Sequence, residues 1–164
     1  MKDISQQLTE ALKTAFDSES SLKIVAGNTK HFMGRQTTTD QVLNIGEHSG
    51  IVAYEPIELI MTVLSGTKLT EISAALAEHN QMLSFEPPNF DGQATIGGTL
   101  AANLSGPARP WSGSIRDMVL GVNLINGCGE LLSFGGQVMK NVAGYDVSRM
   151  QAGAMGVLGV LSLI

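Results

Sequence analysis

The hydrophobic and polar positions in the first part of the chain follow one helical pattern and then several extended patterns. Apolar residues between Ile4 and Phe16 recur at spacings of three and four, which predicts an amphipathic helix with both of these residues on its inner face. Four short apolar runs follow, and their length and β-branched residues predict strands. These runs occupy residues 22–26, 41–45, 50–54 and 59–64.

A second helix and a further short strand are predicted before residue 90. The apolar spacing between Leu69 and Leu76 predicts the helix, with Thr67 or Thr70 as its N-cap. The apolar residues 82–85 predict a strand that ends at two prolines.

The second half of the chain predicts a hairpin, a short helix and a final strand. The turn residues 126–129 separate apolar runs at 115–126 and 130–134, and their Asn-Gly pair tolerates the positive φ of tight hairpins. Residues 145–151 predict a short helix, and residues 159–164 predict a strand. We expect this last strand to be exposed, as in a chain cut from a longer one. Helices and strands interleave throughout, which predicts a mixed class.

Composition narrows the possible functions. Of 19 glycines, five precede residue 90 and fourteen lie between Gly92 and Gly159, without the three-residue period of collagen. A hydrophobic content of 43% argues against disorder. Fifteen acidic residues against ten basic residues argue against a nucleic-acid partner, whose phosphates require a basic surface.

Two segments are candidates for binding an anion. Residues 27–30, Gly-Asn-Thr-Lys, follow a predicted strand, and a turn of this kind can direct consecutive N–H groups at an anion. An ordinary turn is the simpler interpretation. Residues 95–98, Thr-Ile-Gly-Gly, precede small residues and would let a phosphate approach the start of a helix. Tight packing against a neighbouring strand explains the same glycines equally well.

The other polar candidates each have a structural and a functional interpretation. Arg116 could bind a phosphate or pair with Asp117. Trp111 could pack on a ligand ring, but we expect it in the core. Lys140 and Asp146 could reach a cofactor, or Asp146 could simply cap the helix that follows it.

No cluster of metal ligands is visible in the sequence. The single cysteine, Cys128, lies in the predicted hairpin turn, which excludes an internal disulfide and makes a catalytic thiol the less favoured interpretation. His31, His48 and His79 are widely spaced, and we expect each to be solvated. The longest nearly apolar run, 152–164, is too short to span a bilayer, and the N-terminus has no apolar signal core. The sequence therefore predicts a soluble, cytoplasmic protein, which could reach a membrane surface only through partners.

Several motifs in a fixed order give the chain a resemblance to a known family. The most distinctive motif runs from Phe134 to Arg149. The shorter ones are Phe85–Pro88, Ala94–Gly98, Leu104–Pro107 and Arg116–Gly121. Over roughly residues 20–164 the chain resembles the FAD-binding domain of the vanillyl-alcohol oxidase family, also called the PCMH-type domain. Within that family it is most similar to the FAD-binding subunits of glycolate oxidases.

The resemblance implies an α+β fold with two lobes, about residues 20–90 and 91–164, each with a sheet and helices, and FAD between them. Non-covalent FAD is expected, because Thr29 stands where members with covalent flavin carry a histidine. No metal ion is expected. The positions that match cofactor-binding residues of the family are Gly27, Asn28, Thr29, Lys30, Pro88, Thr95, Ile96, Gly97, Gly98, Asn103, Gly106, Gly113, Arg116, Asp117, Gly153 and Val160.

The resemblance also implies a redox function. The complex would oxidise glycolate, a 2-hydroxy acid, to glyoxylate by hydride transfer to the flavin, and would pass electrons to other subunits. Two segments depart from the family pattern: Asn28 replaces a glycine, and residues 153–159 lack the usual serine, glutamate and threonine. These departures favour an alternative, an assembly module that does not hold FAD alone. Family members continue into a substrate domain, which we do not expect in this chain, so no catalytic residue is predicted.

Overall fold

The computed structural model describes residues 1–136 and 144–164. The helices are α1 (Ser5–Asp17), α2 (Leu69–Ala77), α3 (Ile96–Ala101), α4 (Arg109–Ser112), α5 (Ile115–Met118) and α6 (Val147–Met150). The strands are β1 (Leu22–Val25), β2 (Gln41–Asn44), β3 (Ile51–Glu55), β4 (Ile60–Val63), β5 (Gly121–Ile125), β6 (Leu131–Gly135) and β7 (Val160–Leu163). The mixture of helices with parallel and antiparallel strands confirms the expected α+β class.

The strands form three groups. β1 and β2 are parallel, β3 and β4 form an antiparallel hairpin, and β5 lies between β6 and β7 in an antiparallel sheet. Reciprocal backbone hydrogen bonds of 2.9 and 3.0 Å between Val63 and Ile164 join β4 to the end of β7. The last strand therefore links the hairpin of the first half to the sheet of the second half.

Two hydrophobic clusters hold these elements together. The smaller cluster lies between α1, β1–β2 and β7, and the larger lies between α2, α3, α5 and the strands β4, β5 and β7. Buried members of the smaller cluster are Leu8, Leu12, Leu43, Ile45, Ile125 and Val160. Buried members of the larger cluster include Val63, Leu69, Ile72, Leu76, Phe85, Ile96, Leu100, Ile115 and Leu124.

Most of the predicted elements are present. The first helix, the first four strands, the hairpin, the short helix after residue 145 and the last strand all form close to their predicted positions. In the hairpin turn the positive φ falls on Gly129, at +73°, rather than on either residue of the Asn126-Gly127 pair. The Asn126 side chain instead shapes the turn, because its Oδ1 accepts the N–H groups of Cys128 and Glu130 at 3.0 and 2.9 Å.

Four local predictions about these elements are wrong. Phe16 is 57% exposed, because α1 turns only Leu8, Leu12 and Ala15 inward. Residues 82–85 form no strand: Phe85 enters the core alone while Met82 is 84% exposed. Residues 115–118, predicted as part of a strand, form the helix α5. The final strand is buried rather than exposed, since β5 and β4 cover both of its edges.

The predicted caps of α2 are also wrong. The N-cap is Lys68, and its side chain makes no capping hydrogen bond. Thr67 is buried, donates its hydroxyl to the carbonyl oxygen of Leu64 at 2.6 Å and accepts the N–H of Gly50 at 2.9 Å. The N–H of Gly50, just before β3, thus occupies the Thr67 hydroxyl that the sequence pattern assigns to the N-cap of α2.

Candidate functional site

The loop after β1, residues 27–30, has backbone donors without protein partners. Among the residues that the structure describes, no acceptor receives the N–H groups of Gly27, Asn28, Thr29 or Lys30. Asn28 has φ +50°, in the left-handed region that asparagine adopts more readily than most residues. The departure from glycine at this position therefore keeps a backbone shape that glycine would also adopt.

Gly27 packs this loop tightly against a second segment. An ideal Cβ on Gly27 would lie 1.8 Å from the carbonyl oxygen of Gln93. Any side chain at this position would displace one of the two backbones. Packing therefore requires glycine at this position, whether or not a ligand binds.

Lys30 extends from the loop towards α3. Its Nζ donates to Oγ1 of Thr29 at 3.1 Å and lies 5.1 Å from the centre of the Phe90 ring. An ideal Cβ on Gly98 would lie 3.6 Å from the same nitrogen. Partial burial lowers the pKa of Lys30 below its ordinary value, because burial disfavours the charged form.

The second candidate segment, residues 95–98, begins α3. Thr95 is the N-cap, and its Oγ1 accepts the N–H of Gly98 at 3.3 Å. The N–H groups of Ile96 and Gly97 donate to the carbonyl oxygens of Thr67 and Ser65, both at 2.9 Å. The first amides of α3 are therefore already bonded within the protein, unlike those of residues 27–30.

The two adjacent glycines of this segment differ in their surroundings. An ideal Cβ on Gly97 would lie 2.7 Å from both Cβ and O of Ser65, so Gly97 is required by packing. An ideal Cβ on Gly98 would meet only Oγ1 of Thr95, at 3.2 Å, and the lysine described above. Of the two interpretations left open for these glycines, packing applies to Gly97, and Gly98 faces the first loop.

A groove of about 110 Å³ lies beside these two segments. It is mainly apolar and is formed by the end of β1, the first turn of α3 and the segment around β7. The residues that line it include Ile24, Ala26, Gly97, Gly98, Ala101, Gln151, Met155, Gly156 and Val160. Of the positions matched to the cofactor by sequence, Gly97, Gly98 and Val160 line this groove. Gln151 also lines it and was not among the predicted positions, because it carries no motif signal.

The segment before β7 is fastened to the end of α3. The N–H groups of Gly153 and Met155 donate to the carbonyl oxygens of Leu100 and Ala101 at 3.1 and 2.9 Å. Asn103, with φ +52°, lies beside Gly153, and its buried Oδ1 has no hydrogen-bond partner within residues 1–136 and 144–164. The structure thus brings Asn103, Gly153 and Val160 together around α3.

The remaining predicted positions are not part of the groove lining. Pro88, Gly106, Gly113, Arg116 and Asp117 do not line the groove in the described structure. An ideal Cβ on Gly106 would lie 1.9 Å from the carbonyl oxygen of Glu86, and Gly113 ends α4 with φ +80°. The local backbone structure therefore explains why both positions are glycine.

Asp117 completes a capping box at the start of α5. Its Oδ2 accepts the hydroxyl of Ser114 at 2.7 Å and the N–H of the same residue at 3.1 Å. These hydrogen bonds hold the pKa of the Asp117 carboxyl below its ordinary value, with a smaller contribution from Arg116. The carboxylate is thus bound to the helix N-cap, while Arg116 is exposed.

The expectations for Trp111 and His48 are wrong, and the expected helix cap at Asp146 is confirmed. Trp111 is 86% exposed rather than in the core, because α4 lies on the surface with no buried residue. His48 is 0% exposed rather than solvated. Asp146 caps α6, with its Oδ1 accepting the N–H of Arg149 at 3.0 Å. His31 and His79 are exposed as expected.

Ser162, His48 and Asp3 are the residue types of a catalytic triad, but the His48 ring carries its hydrogen on the wrong nitrogen for that role. Its Nε2 lies 2.9 Å from Oγ of Ser162, and its Nδ1 lies 3.6 Å from the Asp3 carboxylate. However, Nδ1 also accepts the N–H of Ile4 at 3.1 Å, so the neutral ring carries its hydrogen on Nε2. A ring protonated there donates to Ser162 and cannot take its proton, which makes this cluster structural.

A second cavity, of about 630 Å³, is lined in part by members of the larger cluster, among them Ile72, Phe85 and Ile115. Its walls are mainly apolar and come from β3–β4, α2, residues 81–85, α5 and the three-stranded sheet. The residues at its mouth include Leu59 and Met82, both well exposed. The walls carry no ionisable side chain except Tyr54, so this cavity lacks the charge that a pyrophosphate needs.

Parts of the predicted site lie outside the described residues. Lys140 is one of these, as is the centre of the long motif between Phe134 and Arg149. Within the described ranges no three His, Cys, Asp or Glu side chains are grouped as metal ligands. In the same ranges no helix has the length and apolar character to cross a membrane.

Comparisons with known proteins identify the family of this chain. A family model described as "FAD binding domain" matches residues 4–135. The glycolate oxidase subunit GlcE of Escherichia coli strain K12 is 51% identical over 162 residues, which cover 99% of this chain and 46% of that protein. The mitochondrial D-2-hydroxyglutarate dehydrogenase of Rattus norvegicus is 25% identical over 98% of this chain and 30% of its own length.

The fold is also found in a solved structure. Alkyldihydroxyacetonephosphate synthase superimposes with a TM-score of 0.76 over 96% of this chain and 29% of that chain, at 18% identity. The chain therefore spans less than half the length of each of these three proteins. Because the family model matches most of the sequence, the chain belongs to the family of FAD-binding domains, and FAD is its cofactor.

Proposed function

We propose that this chain is the FAD-binding domain of a subunit of a flavin oxidoreductase that oxidises glycolate to glyoxylate. The observation that carries the proposal is the set of unbonded N–H groups at residues 27–30, which lies with Lys30 beside Gly98 and the groove. Consecutive free amides and an ammonium group form an anion site. FAD carries a pyrophosphate and therefore fits this site.

Different residues would bind different parts of FAD. Residues 27–30 would hold the pyrophosphate with backbone donors. The groove, with small residues such as Gly98, Ala101 and Gly156, has room for a flat ring and would take the adenine end. The unpartnered Oδ1 of Asn103 and the matched positions at Pro88, Gly106, Gly113, Arg116 and Asp117 would line the path of the rest of the cofactor.

The chain's contribution to the reaction is then to bind and orient. When bound, FAD would supply the redox chemistry, as the acceptor of the two electrons that leave the 2-hydroxy acid. The apolar walls of the groove exclude water from the nucleotide, and the loop packed on Gln93 keeps the donors in a fixed arrangement. No residue of the described structure is assigned to the substrate.

The substrate and partners are proposed from the relatives. The Escherichia coli relative is named as a subunit of glycolate oxidase, so we propose a complex of several subunits with glycolate as substrate and electron transfer to a partner. The second relative is named for another 2-hydroxy acid, which supports this substrate class. We propose a cytoplasmic location, with any membrane association through partner subunits.

A second candidate is an assembly module that holds no FAD alone. The large cavity favours it, because an exposed apolar surface of this kind marks an interaction site. The loss of polar residues from residues 153–159 points in the same direction. On this alternative, partner subunits of the complex would cover the cavity, and any cofactor would be held elsewhere.

One experiment separates the two candidates. The purified chain is mixed with FAD, separated from free FAD by gel filtration, and examined by its visible spectrum and its melting temperature. Flavin absorbance that coelutes with the protein, together with a raised melting temperature, would support FAD binding. If FAD neither coelutes nor changes the melting temperature, the chain does not hold FAD, and the assembly module is the better candidate.

A further inference from the structure

The strand β4 is paired along the whole of one edge but along only part of the other. Its full partner is β3, and the one irregularity of that pairing lies in β3, between Ile51 and Ala53. On the other edge Val63 exchanges backbone hydrogen bonds of 2.9 and 3.0 Å with Ile164. Because backbone groups point alternately to the two sides of a strand, Met61 directs its N–H and C=O to the same edge as Val63. In the part of the chain that the structure describes, nothing outside the β3–β4 ladder bonds to them.

This open edge of β4 borders the large cavity. Every residue from Leu59 to Val63 lines the cavity, and so do Leu163 and Ile164. A strand added along Met61, antiparallel to β4 and in line with β7, would therefore have the cavity on one of its faces. Its alternate side chains would enter a mainly apolar space. Backbone pairing and side-chain burial would then stabilise the same complex.

The edge lacks the features that usually protect exposed strands from pairing. The sequence of β4, residues 60–63, contains no lysine, no proline and no bulge. Leu59 and Met82 at the mouth of the cavity are 76% and 84% exposed. An unprotected edge beside exposed apolar side chains is typical of a surface that another polypeptide covers.

The charges near the edge favour one kind of occupant. The β3–β4 hairpin, residues 51–63, carries Glu55 and Glu58, both exposed, and no basic residue. Between residues 36 and 108 there are eight acidic residues, and Lys68 is the only lysine or arginine. Two copies of the chain paired through β4 would bring like charges together, which destabilises strand pairs. A segment with basic side chains would instead be attracted to this hairpin.

We propose that the open edge of β4 binds an extended segment of a partner protein, in which apolar side chains alternate with basic ones. The segment would pair with Met61, place its apolar side chains in the large cavity and carry its basic side chains on the outer face, where Glu55 lies. The inference goes beyond the proposed function, because the large cavity shares no lining residue with the smaller groove. It applies whether or not the chain holds FAD.

A synthetic peptide of this chemistry tests the proposal on the whole chain. The probe is Lys-Val-Lys-Val-Lys-Val-Lys with blocked ends and a fluorescent label, and its Kd is measured by anisotropy. The same peptide N-methylated at its valines, the residues that would face Met61, keeps the side chains but cannot donate to the strand. We expect it to bind at least about tenfold more weakly. Amide hydrogen exchange of Met61 should be fast in the free chain and slowed at least about tenfold by the unmethylated peptide.

Two protein variants test the backbone and the charge separately. Met61→Pro removes an N–H that points away from β3, so the melting temperature should change little while the peptide Kd rises at least about tenfold. Glu58→Lys should raise the Kd about threefold or more at low salt. Glu10→Lys is the matched control, because it makes the same charge change on the exposed face of α1, and should leave the Kd unchanged.

Several results would overturn the proposal. The first is the absence of saturable peptide binding, and the second is equal binding of the N-methylated peptide, which needs no protein variant to be informative. Undiminished binding by folded Met61→Pro is a third. A Met61 amide that is protected in the free monomer would show that the chain's own residues cover the edge. Protection that grows with protein concentration, together with a dimer in sedimentation, would make a second copy the occupant instead.

Discussion

The Nε2 atom of His48 lies 2.9 Å from the hydroxyl oxygen of Ser162, which is 114 positions further along the chain. The same nitrogen lies 3.0 Å from the Ser162 carbonyl oxygen, and Nδ1 accepts the N–H of Ile4. One buried imidazole thus connects the N-terminus, the turn before β3 and the last strand. Its protonation state affects all three.

The stability of the protein should fall in mild acid because of His48. Burial lowers the pKa of His48, and the nearby Asp3 only partly opposes this effect. The unfolded chain then binds a proton at a higher pH than the folded chain, so stability is complete above about pH 6.5 and decreases below it. Melting temperatures measured between pH 8 and pH 5 should fall more steeply for the unmodified chain than for His48→Gln. Equal slopes would show that His48 titrates normally in the folded protein.

Thr67 and Thr70 should respond differently to the same substitution. Thr67→Val removes a buried hydroxyl and leaves the N–H of Gly50 without its acceptor, which should cost about 1–3 kcal/mol of unfolding free energy. Thr70→Val is the control, since Thr70 is exposed and next to the helix N-cap. Urea unfolding curves measure both free energies. A larger loss for Thr70→Val would restore the sequence-based assignment of Thr70 as the cap.

Gly27→Ala should reduce both stability and FAD binding. A methyl group would overlap the carbonyl oxygen of Gln93, so the loop and this segment must separate. Overpacking of this kind typically costs about 1–3 kcal/mol. Thermal unfolding and FAD titration are the measurements, with Gly127→Ala as control because a Cβ there meets nothing within 4 Å. An unchanged melting temperature for Gly27→Ala would contradict the close contact.

Gly97 and Gly98 should separate folding from binding. Gly97→Ala would place its methyl group 2.7 Å from Ser65, and we expect a destabilised protein. Gly98→Val meets only the Thr95 hydroxyl and Lys30, so the fold should persist while FAD affinity falls by more than about tenfold, because the side chain occupies the space that the pyrophosphate needs. Circular dichroism and FAD titration of both variants check this. Undiminished affinity in folded Gly98→Val would show that this face of α3 does not contact the cofactor.

Much of the secondary structure, and the family, could be predicted from sequence because both depend on local pattern. Helical spacing predicts α1, short β-branched runs predict β1 to β4, and the Asn-Gly turn predicts the hairpin of β5 and β6. The ordered motifs indicated the FAD-binding family, which the family match confirms. The residue-level cofactor site stays a prediction.

Long-range packing decided what local pattern could not. Thr67 has the residue type and position of an N-cap, but its hydroxyl is taken by Gly50, seventeen positions away. His48 has no pattern that predicts burial, and its contacts are with distant parts of the chain, Ile4 at the N-terminus and Ser162 in β7. Trp111 is a large apolar residue of the kind that usually packs in a core, yet it is exposed because α4 lies on the surface.

The two glycines of residues 95–98 illustrate the same division. Sequence alone determined that small residues occur there and that the chain could approach a ligand closely. Only the tertiary structure decided that Gly97 packs against Ser65 and that Gly98 faces Lys30. The physical reason is that a glycine's role depends on the atom its missing side chain would meet, and that atom belongs to a distant part of the chain.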